Sequence, residues 1–97
     1  MKFKARITGM GAFLPEGKLT NRELEKLVDT SDEWIQTRTG IKERRIGSSV
    51  ETAATMGTQA ALKAIESAKI DKNLIDLVIC ATMTPDHITP STAALIS

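Results

Sequence analysis

The chain has 97 residues, 41% of them hydrophobic and 26% charged, with a formal net charge of +1. That length suits at most one small domain with a modest core, and the balanced charge creates no global field to draw in nucleic acid. A single cysteine excludes an internal disulfide and fits a reducing compartment. Leu77 to Ala81, the longest strongly apolar stretch, is too short to span a bilayer, and no apolar run of signal-peptide length follows the basic start. A cytoplasmic protein with no membrane and no nucleic-acid partner is therefore expected.

Taken in chain order, Lys4 to Leu14 begins by alternating charged and apolar residues, carries Gly9 and Gly11, and stops at Pro15. This predicts a first strand with a close backbone approach near its end. Thr20-Asn21-Arg22-Glu23 is a capping box. Leu19 and Leu24 are placed to staple it, and Leu24, Leu27 and Val28 recur at helical spacing. Thr30-Ser31-Asp32-Glu33 repeats the pattern, and Gly40 is placed to end a second short helix in the left-handed conformation. Trp34 and Arg38, four residues apart, then share a face.

Ile41 to Ile46 reads as a charged ribbon, after which Ser48-Ser49-Val50-Glu51 is expected to cap the longest helix, about 51–68. Ala53, Gly57, Ala60, Ala61, Ala64 and Ala68 lie along one stripe of that helix, so it can approach a neighbour closely; Gly57 costs about 1 kcal/mol against alanine unless close packing offsets it. Following a turn at 70–73, Leu74 to Thr82 is a near-continuous apolar run, which predicts a parallel, central strand covered on both faces. Pro90-Ser91-Thr92 opens a last helix that is still running at Ser97. Strands alternating with helices argue for an α/β layer architecture, and the unfinished last helix suggests the front part of a longer polypeptide.

Several candidate sites are weak. Gly9-Met10-Gly11 fails as a dinucleotide loop because Leu14 occupies the third glycine position. His87, beside Asp86 in the loop after the apolar run, has no neighbouring nucleophile and reads as an ordinary loop histidine. Cys80, inside that run, is expected to be buried and inert, and one cysteine with one histidine argues against a metal site. Trp34 is different. It can be a core aromatic, or, with Arg38 and a capped helix start, a seat for an aromatic base bearing phosphates. The spacing leaves both open. Arg38, Lys42, Arg44 and Arg45 against Glu43 add local positive charge.

The run Thr30-Ser31-Asp32-Glu33-Trp34-Ile35, followed by Thr37-Arg38-Thr39-Gly40-Ile41 and Glu43-Arg44, closely resembles the β-ketoacyl-acyl carrier protein synthase III family of condensing enzymes. Supporting matches include Gly9, Gly11, Leu14 and Pro15; Thr20, Asn21 and Leu24; Met56, Ala60 and Ala61; and Ala81, Thr82, Pro90 and Ser91. The resemblance implies a thiolase-like layered αβαβα fold, with residues 1–97 forming an incomplete first part of its N-terminal half. It implies an acyltransferase that starts fatty acid synthesis by decarboxylative condensation of an acyl-CoA primer with malonyl-acyl carrier protein. The expected partners are those two thioesters, the remainder of the polypeptide and a second subunit; coenzyme A enters as a substrate, and no cofactor or metal is implied. The residues matching Thr30, Trp34 and Arg38 bind coenzyme A in that family, while the one matching Thr89 lies at the dimer interface and closes the partner's acyl pocket. The family's catalytic cysteine, histidine and asparagine are all expected beyond Ser97, so these residues alone are expected to be inactive. The alternatives are a related secondary-metabolite synthase and a non-catalytic nucleotide-binding module.

Overall fold

A computed structural model describes residues 3–97. The chain divides into two compact units, Leu14–Val50 and a second that joins the segment up to Phe13 with Glu51–Ser97.

In the first unit, β1 (Gly17–Thr20) pairs antiparallel with β2 (Glu43–Ile46), with Leu19 opposite Arg44 and Thr20 opposite Glu43. Thr20 ends the strand and caps α1 (Asn21–Glu25): its hydroxyl accepts from the Glu23 amide while the Glu23 carboxylate accepts from the Thr20 amide, the capping box foreseen from sequence. The helix is shorter than its apolar spacing suggests. It gives way to a turn after Glu25, in which the amides of Leu27 and Val28 both donate to the Leu24 carbonyl, and both side chains lie exposed. α2 (Asp32–Thr39) is capped by Ser31, not Thr30, because the Ser31 hydroxyl accepts from the Trp34 amide. It ends at Gly40, which has φ of 73° as expected of a left-handed cap. Ile35, on the inner side of α2, and Pro15 are the buried apolar side chains of this unit among the described residues.

In the second unit, α3 (Ala53–Ala68) begins one residue after Thr52, so the cap expected at Ser48 to Glu51 is displaced. Thr52 and Thr55 exchange a capping box, and the Asp86 carboxylate accepts from the Ala54 amide at 2.9 Å. Asp86 lies 32 residues downstream, so the helix start is fixed by a tertiary contact. The small-residue stripe does let neighbours come close. A side chain at Gly9 would sit 2.5 Å from the Ala64 carbonyl oxygen and the Ala68 amide nitrogen; one at Gly11 would run into the Ala60 carbonyl oxygen. At the same stripe, Gly57 receives Ile96 of α4 (Thr92–Ile96). Lys63 fastens the 9–13 segment from above, donating to the Ala12 carbonyl at 3.2 Å with its ammonium 5.7 Å from the Phe13 ring centre.

Two expected strands are not formed. Residues 4–14 and 74–82 are without ladder pairing, and Leu77 and Ile79 are 74% and 83% exposed rather than covered on both faces. The apolar pattern is real, but a strand exists only when a neighbouring strand accepts from its amides and donates to its carbonyls; among the described residues no strand pairs with either segment. A single-turn 3-10 helix (Lys72–Leu74), capped by Asp71, forms the turn expected before this run.

Candidate functional site

The candidate site lies in the first unit, where α1 turns into α2. The Ser31 cap fixes the start of α2, and Trp34 and Arg38 then emerge one turn apart on the same side. The guanidinium carbon of Arg38 stands 5.6 Å from the centre of the Trp34 ring, within cation–π range. Trp34 is 56% exposed within residues 3–97. Beside it lies a cleft of about 340 Å³ lined by Asp29, Thr30, Ser31 and Trp34, at the small end of the range for ligand pockets. Three features expected from sequence thus meet: the half-buried Thr30, the indole and the guanidinium.

The rest of the basic stretch has a different role. Arg44 donates to the Leu19 carbonyl at 3.1 Å and to the Asn21 side-chain oxygen at 2.6 Å, and Arg45 donates to the Pro15 carbonyl at 2.8 Å. Both are half-buried struts between the ribbon and the segment leading into it. The local charge counted from sequence therefore overstates what a ligand would meet.

Underneath the site is a polar centre that spacing did not reveal. Asn21 is 1% exposed. Its amide group donates to the Asp32 carboxylate at 2.8 Å and to the Ile41 carbonyl at 2.7 Å, and its oxygen accepts from Arg44. The same Asp32 oxygen accepts from Gln36 at 2.7 Å, and the Asp32 amide donates to Glu25 at 2.6 Å. Hydrogen bonds from Gln36 and then Asn21 hold the Asp32 carboxyl below its ordinary range, outweighing the opposing effect of desolvation. The only hint in sequence was an asparagine at the first helical position, a residue type that prefers to bond backbone and caps rather than extend a helix. Asp29, which walls the cleft, carried no signal beyond its place beside Thr30.

The second unit holds the remaining candidates. Thr89 is exposed and precedes a cis peptide bond to Pro90. Asp86 is committed to the start of α3; its carboxyl is held low first by a hydrogen bond from Thr52 and then by the Ala54 amide. Cys80 is half-buried rather than buried.

No family model matches the chain. It is 60% identical over 92 residues, or 95% of its length, to β-ketoacyl-[acyl-carrier-protein] synthase III of Chlamydia muridarum, of which it spans 28%. Among solved structures it superposes on 3-oxoacyl-[acyl-carrier-protein] synthase III of Aquifex aeolicus with a TM-score of 0.84 at 56% identity, covering 93% of this chain and 29% of that one. The priming β-ketosynthase of the R1128 polyketide pathway gives a TM-score of 0.85 at 41% identity, covering 94% and 27%. These matches define the class: the fold is a portion of the thiolase-like condensing-enzyme architecture. Within that class, the chain is a homologue of β-ketoacyl-[acyl-carrier-protein] synthase III along 95% of its length.

Proposed function

We propose that this chain forms the nucleotide end of the coenzyme A site in an enzyme that condenses an acyl-CoA primer with malonyl-acyl carrier protein. The observation that carries the reading is the exposed Trp34 ring with Arg38 against it, at the rim of a cleft reaching Thr30. The guanidinium occupies one face of the indole, and the other face suits a purine, worth on the order of 1–3 kcal/mol when stacked. Arg38 also supplies a planar pair of donors for phosphate. Asp29 opposes phosphate on its own wall but accepts from an exocyclic amine, so the base belongs toward Asp29 and the phosphates toward Arg38.

In the reaction, a cysteine thiolate attacks the acyl-CoA carbonyl and coenzyme A leaves as its thiol. Malonyl-acyl carrier protein then loses carbon dioxide, and the resulting carbanion attacks the enzyme thioester; a carbon–carbon bond forms as the cysteine thiolate departs. Within residues 3–97 we assign no group to these steps. Cys80 lies in the unpaired apolar run, and His87 is an exposed loop residue. These residues supply binding, and the condensing chemistry, the homodimer and the acyl carrier protein contact belong to the protein as a whole. Thr89 is the residue proposed at the acyl pocket and subunit interface, where a side chain of its size leaves room for primers longer than acetyl. The similarity to a polyketide priming enzyme supports the same reaction with a secondary-metabolite product.

The test is calorimetric titration of the protein with coenzyme A and, separately, with pantetheine. The reading expects coenzyme A to bind more tightly, with most of the advantage lost in Trp34→Ala. Equal affinity for the two ligands would overturn it.

A further inference from the structure

One buried side chain holds both ends of the helix that carries the site. Asn21 reaches Asp32 in the first turn of α2 and the carbonyl of Ile41 just past the Gly40 cap, at 2.8 and 2.7 Å. Its own position is fixed on every side: the backbone amide donates to the Lys42 carbonyl at 3.1 Å, and the side-chain oxygen accepts from Arg44, which also grips the Leu19 carbonyl. α2 has eight residues and a single buried apolar side chain, Ile35. So short a helix has little intrinsic persistence, and its orientation rests on the polar clamp more than on apolar packing. Trp34 and Arg38 lie between the two clamped ends.

Resting on the coenzyme A reading above, we propose that Asn21 is a positioning residue for that site. Through Asp32 at one end and Ile41 at the other, it sets the angle at which α2 presents the indole and guanidinium to the ligand. Asn21 touches no ligand in this scheme. Only an amide serves, because two donors must point to two ends of one helix while an acceptor faces Arg44. Asn21→Asp keeps size and the acceptor but loses both donors, and it sets a carboxylate against Asp32.

The experiment measures coenzyme A affinity in wild type, Asn21→Asp, and the exchange variant Asn21→Asp with Asp32→Asn, alongside thermal stability and circular dichroism. Losing a charge-assisted hydrogen bond and misaligning the helix is expected to weaken binding by roughly 10-fold or more in the single variant. In the exchange variant, a donor on residue 32 faces an acceptor on residue 21, and at least half of the lost affinity, on a logarithmic scale, is expected to return. Asp32→Asn alone retains an acceptor for Asn21 and is expected to stay within about threefold of wild type, whether or not Asn21→Asp folds. Wild-type binding with an unchanged affinity in a folded Asn21→Asp would overturn the positioning role, as would an Asp32→Asn loss as large as that of Trp34→Ala. Absence of coenzyme A binding in wild type would instead overturn the reading on which it rests.

Discussion

Replacing Gly11 by alanine tests how closely α3 is packed. The new methyl carbon would run into the Ala60 carbonyl oxygen, with the Ala64 amide nitrogen at 2.5 Å and the Lys63 Cβ at 2.8 Å. The first two are helix backbone and cannot turn aside, so α3 or the 9–13 segment must shift. Overpacking of this kind costs about 1–3 kcal/mol. Alanine also gains ~0.4–1 kcal/mol by restricting the unfolded chain, too little to reverse the sign. Gly57→Ala is the internal control: there the obstacle is the Ile96 Cδ1 at 2.8 Å, the end of a flexible side chain, and the substitution removes a helix glycine worth about 1 kcal/mol. The expected order in urea denaturation is therefore Gly57→Ala at or above wild type, with Gly11→Ala below it by about 1–3 kcal/mol at an unchanged slope. Gly9→Ala meets the same helix one turn further along, at Ala64 and Ala68. The double variant should cost less than the sum, because one displacement of α3 relieves both clashes. A Gly11→Ala protein as stable as wild type would refute the close approach.

Further outcomes follow from the site and its supports. Trp34→Ala should reduce coenzyme A affinity by roughly 5- to 150-fold while leaving the unfolding midpoint nearly unchanged, since the ring is exposed; equilibrium titration and a melt on the same sample check both halves. Gly40→Ala has no steric obstacle but must hold φ of 73°, and is expected to cost about 1–2 kcal/mol by denaturant unfolding. Asp32 and Asp86 both have carboxyls held below their ordinary value of 3.8. Their contribution is thus complete above that value and is lost as pH falls through the lower folded-state value. Acid titration of stability should show Asp32→Asn and Asp86→Asn each less stable than wild type near neutrality and converging on it as pH falls below 3.8, so that the acid limb is flatter. Thr89→Phe should shift primer competition in the condensing enzyme toward acetyl-CoA, and an unchanged preference would remove Thr89 from the acyl pocket.

What could be read from sequence was mostly local. The Thr20–Glu23 box, the Gly40 cap and the spacing of Trp34 and Arg38 are each set within a few residues, and each stands as expected. The alanine stripe was legible because small side chains in one row have few uses other than close approach. Features decided at a distance were not legible. The start of α3 moved to Thr52 because Asp86, 32 residues away, meets the Ala54 amide. Strand β1 was missed because its four residues show little pattern until they pair with β2. Arg44 and Arg45 were legible only as local positive charge, because no local rule shows that carbonyls at Leu19 and Pro15 claim them. Asn21 was legible only as a cap neighbour, since its partners lie 11, 20 and 23 residues on. The apolar run 74–82 has the composition of a covered strand, yet composition does not supply neighbours.

The seat made by the indole and guanidinium is tested most directly by proton cross-relaxation between bound coenzyme A and the ring of Trp34. Contacts from the adenine H2 and H8 protons to the indole protons, lost in Trp34→Ala, are the predicted result. Bound coenzyme A whose adenine shows no contact with that ring, while its pantetheine arm carries all the transfer, would contradict it.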